Sequence, residues 1–306
     1  MLRAFSEVLL PIVVVVSMGY LLQGAFLLDA RTLNRVSLYV LSPCLLFVTL
    51  LRTEIPAGQA LALALLMLVV VVAMSGCAYV LARLLRLAPA ERSGFMLATS
   101  FMNSGNYGLP ATRFAFGEVG FQYAVVGYLT QALLTQTYAV YLASMSSGSR
   151  RAAFAQVWRM PMIYAALLAL ALRLLGIHLD ESEGVVAVGL YSGVRLLADA
   201  TLPFLLLILG MQLRRSQALG SFGPLGMATG LRLLASVPLA YGVALLLGLS
   251  GLPMHVGVVQ AAMPTAVNTT ILALEFDTWP TFVSNVVVLT TFGSLITLTL
   301  LFVIFR

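Results

Sequence analysis

Between Phe101 and Phe114 the chain reads FMNSGNYGLPATRF, which sets Asn103, Ser104, Gly105, Asn106, Tyr107 and Pro110 together inside an otherwise apolar stretch. Neutral amides and hydroxyls make and release hydrogen bonds, and none of these groups is a nucleophile with a base beside it, so the chemistry on offer is reversible binding. A second cluster, AAMPTAVNTT from Ala261 to Thr270, repeats the theme with Pro264, Thr265, Asn268, Thr269 and Thr270. In the first cluster Gly105 and Gly108 relax the backbone, while Pro110 lacks an N–H and pushes Leu109 off helical angles. A helix broken near 105 to 109 and restarting at Pro110 is the expected result. Half-helix N-termini carry free N–H groups and the positive end of the helix dipole, so halves restarting near Pro110 and Pro264 would together hold a carboxylate or another anion.

These clusters must be positioned by membrane helices. The chain has 306 residues, of which 61% are hydrophobic and 9% charged, and its mean hydropathy is +1.02, values outside the range of a soluble domain of this size. Ten apolar stretches bounded by charges or turn residues lie at 5–27, 36–51, 58–82, 93–114, 119–144, 161–179, 186–210, 224–248, 254–274 and 280–304. Most approach the ~20 residues needed to cross ~30 Å of hydrocarbon. The clusters above fall in spans four and nine. Because lipid cannot satisfy backbone groups freed by a break, each break must face protein, water or a solute.

All 17 basic residues are arginine. The net charge of +6 is no nucleic-acid footprint, since these arginines sit mostly in the short connections between spans. Connections after odd-numbered spans hold Arg31, Arg35, Arg83, Arg86, Arg92, Arg150, Arg151, Arg159, Arg214 and Arg215, whereas the opposite side holds Arg3, Arg52, Arg113, Arg173 and Arg306. That asymmetry predicts a multi-pass protein of a plasma (inner) membrane with both termini outside. The first span has no small-residue cleavage site and reads as a retained helix. Cys44 and Cys77 fall inside spans as small hydrophobes, and His178 and His255 stand at span ends without ligand clusters, so neither a metal nor any other cofactor is expected.

The fifth span is unusually polar, and at helical spacing its Gln131, Thr135 and Tyr138 share a face that should line a cavity or pack on other spans. The polar connection 145–160 divides the chain into residues 1–144 and 161–306, five spans each, and should be cytoplasmic. Pro11 and Pro161, Pro43 and Pro203, and Pro110 and Pro264 answer one another across that division. The matches predict an internal repeat, which an odd number of spans per half makes an inverted one. Asp199 lies within the seventh span, one helical turn after Arg195. Either the two form a neutralising ion pair or Asp199 serves proton coupling or substrate passage. Arg232 in the eighth span is expected to snorkel to the basic inner face, and Glu275 and Asp277 to lie in an inner loop with Trp279 as interfacial anchor.

The run NSGNYGLP at 103–110, the opening LPIVVVVSMGYLLQ with LLD at 27–29, the LSPCLLF of the second span and the PTAVNTT of the ninth together resemble the auxin efflux carrier family over essentially the whole chain. The chain lacks the long central loop of many plant members and is similar to the compact bacterial ones. The resemblance implies an all-α fold of ten transmembrane helices in two inverted five-helix repeats, with broken helices four and nine crossing at their prolines. It implies a small organic anion, such as indole acetate or a small carboxylate, bound beside that crossing. It further implies elevator-like movement of a transport domain (spans 3–5 and 8–10) against a scaffold (spans 1, 2, 6 and 7), often in a homodimer. Asn103, Asn106 and Pro110 match the family motif well, Pro264 and Asn268 more loosely. Coupling to H+ or Na+ is left open. Two alternatives stand beside this one: a sodium-coupled organic-anion symporter of the bile acid type, for which spans four and nine lack acidic ligands, and a membrane sensor that binds without flux.

Overall fold

The computed structural model describes residues 1–145, 160–177, 179, 185–214 and 222–305, and is all-helical over them apart from one isolated backbone bridge. The arginines of the central connection (Arg150, Arg151, Arg159), together with His178, Asp180 and Arg215, lie outside the described residues. In chain order the helices are α1 (Phe5–Phe26), α2 (Thr32–Leu51), α3 (Ala57–Leu84), α4 (Pro89–Ser100), α5 (Leu109–Leu134), α6 (Val140–Ser144), α7 (Pro161–Leu174), α8 (Val185–Arg214), α9 (Gly223–Leu246), α10 (Gly251–Ala261), α11 (Asn268–Glu275) and α12 (Pro280–Phe305).

Six of these, α1, α2, α3, α8, α9 and α12, are long and apolar enough to cross a bilayer unaided. The other four stretches expected to span are built differently. The fourth is interrupted between α4 and α5, the ninth between α10 and α11, and the sixth is the shorter apolar helix α7. The fifth begins at a kink in α5, where Gly117 takes φ 67° and ψ −160°, a conformation that strains any residue bearing a Cβ.

Prolines explain four of the five wide turns among the described residues. Wide π turns occur at Phe5–Leu9, Ser37–Leu41, Ser104–Gly108 and Leu231–Ala235, each closing two or three residues before a proline (Pro11, Pro43, Pro110, Pro238). A proline inside a helix lacks its N–H and its ring crowds the carbonyl four residues back, and opening the preceding turn relieves that crowding.

Packing sorts the helices into two groups. α1, α2, α7 and α8 pack on one another, and α3, α4, α5, α9, α10, α11 and α12 form the other body. The α1–α8 pair meets backbone to backbone: a Cβ on Gly19 would run into the Leu207 carbonyl, and one on Gly210 into the Val16 carbonyl. Small residues permit this approach where lipid supplies no hydrophobic drive between helices. Asp199 and Arg195 are both exposed on α8, and among the described residues the ion pair expected between them does not form. Trp279 is half-buried and stacks on Phe282 at the start of α12 with ring centroids 4.0 Å apart.

Candidate functional site

The two breaks meet. Met102 and Thr265 form an antiparallel bridge, Asn103 N donates to the Pro264 carbonyl at 2.7 Å, and Ala266 N donates to the Phe101 carbonyl at 2.9 Å. Both breaks sit elsewhere than the prolines alone indicate. α4 ends at Ser100, Phe101 is extended (φ −102°, ψ 120°), and the chain re-enters a helical turn at Ser104, six residues before Pro110. Pro110 therefore lies at the seventh position of a helix already begun, past the free N–H groups of its start, and the wide turn Ser104–Gly108 accommodates it. In the second break Pro264 belongs to the extended crossing strand, and α11 restarts only at Asn268.

The glycines act by close approach. Gly108 has ordinary helical angles (φ −65°, ψ −43°), and a Cβ there would lie 2.5 Å from Gln260 Oε1 on α10. A Cβ on Gly105 would lie 2.6 Å from the ring of Tyr128. Gln260 is fully buried and donates through Nε2 to Thr112 Oγ1 at 2.9 Å, which ties α10 to α5 just behind the crossing.

A cavity of about 340 Å³ opens in front of the crossing, between the two packing groups. Asn103, Ser104, Gly105 and Asn106 from the first break, and Ala266, Val267 and Asn268 from the second, form one wall. Tyr128, Gln131, Thr135 and Gln136 on and after α5 form the next, and Asn34, Ser37, Ser42, Met160 and Leu205 close it from the α2, α7 and α8 side. Arg35 and Glu275, both exposed, stand on the same lining with opposite charges. Two wall residues are buried with polar atoms that find no partner. Asn103 is 5% exposed with Nδ2 unpaired, and Gln131 is 3% exposed with both Nε2 and Oε1 unpaired. Buried amides left so are rare because each costs free energy, and on residues that line a cavity they are candidates to bond a ligand.

Of the residues expected at the site, Asn103, Ser104, Gly105, Asn106, Asn268, Gln131 and Thr135 line the cavity. Tyr107, Pro110, Pro264, Thr265 and Thr269 are brought close but lie buried behind its wall. Thr265 is spent on structure, donating from Oγ1 to the Ala98 carbonyl at 2.6 Å, while its N–H reaches Thr290 Oγ1 at 3.1 Å. Thr269 Oγ1 turns back to the Ala266 carbonyl at 2.6 Å. Asp199 and Arg195 are not part of the lining. Tyr138 leaves the expected polar face because Thr135–Ala139 is a wide π turn that shifts the register; it packs near Phe101, and Gln136 takes its place on the wall.

Sequence reasoning passed over the part that α2 plays. Asn34 and Arg35 read as a loop end, yet both already lie in α2, and Ser42 Oγ accepts the Tyr128 hydroxyl at 3.1 Å across the cavity. Tyr128 itself was legible, standing three and seven residues before Gln131 and Thr135 on one helical face. The largest correction concerns Arg232. It is fully buried, with its guanidinium donating to the Thr99 carbonyl at 3.2 Å, to the Ser100 carbonyl at 3.5 Å and to the Ala261 carbonyl. Snorkelling is excluded because these carbonyls, at the ends of α4 and α10, hold the side chain inward.

Comparison with known proteins gives the family, and two successive matches to one family model suggest an internal repeat. Residues 4–156 and 151–302 match the family described as Membrane transport protein. An uncharacterised transporter of Methanothermobacter thermautotrophicus is 30% identical over 299 residues, covering 96% of each chain. A second uncharacterised transporter, from Methanocaldococcus jannaschii, is 23% identical over 303 residues with the same coverage. The chain is thus an integral membrane protein that belongs to the membrane transport protein family, the family of the auxin efflux carriers.

Proposed function

We propose that this protein is a secondary transporter of a small organic anion, most simply a carboxylate, which it binds in the cavity at the crossing of the two breaks. The single observation that carries the proposal is the pair of buried, unpartnered amides, Asn103 and Gln131, on the wall of a cavity onto which the helices restarting at Ser104 and Asn268 open. Each N-terminus of a restarted helix carries roughly half a positive charge, so the two together offer about one. At α11 part of this is delivered as dipole only, since Thr269 N and Thr270 N turn back onto the Ala266 and Val267 carbonyls. The cavity volume suits a small carboxylate with a few waters, each taking about 30 Å³.

Ten spans in two inverted repeats accommodate the order of helices, with α4–α5 and α10–α11 as the broken fourth and ninth spans. An elevator-like cycle is favoured by the packing, because the cavity lies between the group of α1, α2, α7 and α8 and the body that carries both breaks. The Tyr128–Ser42 hydrogen bond crosses that division and would break as the body moves. Arg35 on the cavity lining belongs to the arginine-rich side, so by the positive-inside rule the cavity faces the cytoplasm, with both termini outside. The deciding experiment is flux of radiolabelled carboxylates through proteoliposomes. Saturable carboxylate flux is expected. Binding without flux would make the protein a sensor, and preference for cationic or neutral solutes would refute the anion site.

A further inference from the structure

Two broken helices crossing in a membrane leave two N-termini and two C-termini near its middle. The cavity takes the N-termini; each C-terminus of α4 and α10 concentrates roughly half a negative charge, and although Ala262 N and Met263 N take the Val258, Val259 and Gln260 carbonyls, those of Thr99, Ser100 and Ala261 meet no following turn and are open to a cation. We propose that Arg232 is the resident cation of the crossing: its guanidinium neutralises both C-termini, so that the site assembles and binds its anion without a metal cation there.

Five carbonyls at the crossing are taken by named donors, while Arg232 Nε is left without a partner. The Ala98 carbonyl takes Thr265 Oγ1, those of Thr99 and Ser100 take Arg232 Nη1, that of Phe101 takes Ala266 N, and that of Ala261 takes Arg232 Nη2. Two half-charges make about one, which a single guanidinium balances. Among the described residues no carboxylate pairs with Arg232, so its counter-charge is the carbonyl cluster itself. A planar fork with several donors suits two helix ends at once, which the point charge of a lysine does not. Its own backbone is pinned as well: Arg232 sits in the wide turn Leu231–Ala235, and its carbonyl accepts Ser236 Oγ at 2.6 Å. Arg232 is therefore a positioning residue that fixes where Asn103 and Asn268 stand.

The test uses detergent-purified full chain. In the unmodified protein, the melting temperature in sodium chloride should equal that in choline chloride, and radioactive sodium should not bind. Sodium-dependent melting or stoichiometric sodium binding would overturn the proposal without any substrate being known. Arg232→Ala should lower the melting temperature by several degrees, and millimolar methylguanidinium, but not methylammonium, should recover at least half the loss. Recovery by neither, or no loss at all, would count against it. If the alanine variant does not fold, Arg232→Lys keeps the charge but loses the fork, and should stay monodisperse while melting lower; lysine equal to arginine would refute the two-ended cap. Carboxylate affinity rests on the transport reading and is scored separately: a carboxylate that never binds defeats that reading and leaves the melting results standing.

Discussion

Replacing Gln131 by methionine separates a binding role from a packing one, because the two make opposite predictions. The glutamine is 3% exposed and neither end of its amide has a partner, so in the empty protein it is a liability. An unsatisfied buried polar group costs about 1–3 kcal/mol, less where water reaches it, and interhelical hydrogen bonds in membranes are often worth under 1 kcal/mol. Methionine has nearly the same length and no polar ends. Gln131→Met should leave the melting temperature of the ligand-free protein unchanged or raise it. With a bound carboxylate the sign reverses, since a hydrogen bond to a charged group contributes about 1.5–3 kcal/mol, or roughly a 10- to 150-fold loss of affinity. The assay is thermal shift across a series of small carboxylates, because a ligand that binds only the native state raises apparent stability with the logarithm of its concentration over Kd. A variant that melts lower when empty yet keeps its carboxylate affinity would show Gln131 to be a packing residue and refute the reasoning.

Other perturbations test separate parts of the account. Asn106→Ala, on the cavity wall, should weaken carboxylate binding at least tenfold while folded yield holds; loss of monodisperse protein instead would favour a structural role. Gly210→Val drives a side chain into the Val16 carbonyl, and overpacking of about 1–3 kcal/mol should lower the melting temperature without changing affinity per folded molecule. Asp199→Asn should leave flux and its response to a pH gradient unchanged, because Asp199 is exposed on α8 and absent from the cavity lining; lost pH response would restore it to the mechanism.

Much of the site was legible because helix breaking is local chemistry. Glycine, asparagine and proline clusters announce an interruption wherever they occur in an apolar run, and both clusters do lie at the crossing. The positions of the breaks were not legible from proline rules alone. Ser100 ends α4 where it does because the Thr99 and Ser100 carbonyls are claimed by Arg232, 130 residues and more downstream, and the Phe101 carbonyl by Ala266. For the same reason Arg232 looked like a snorkelling side chain: a span read alone offers a buried cation only the interface, whereas the fold offers it two helix ends. Glycine roles were misjudged in kind, since Gly105 and Gly108 spare room for Tyr128 and Gln260 and leave the backbone helical. The shift of Tyr138 off the polar face came from a π turn at Thr135–Ala139 that lacks a proline to announce it.

The claim on which the account turns is that an anion sits at the crossing. A density map of the protein equilibrated with its best-binding carboxylate tests this directly. The account predicts ligand density within hydrogen-bonding reach of Asn103 Nδ2 and the Gln131 amide, beside the turns that begin at Ser104 and Asn268. Density elsewhere, with the crossing still empty, would contradict it.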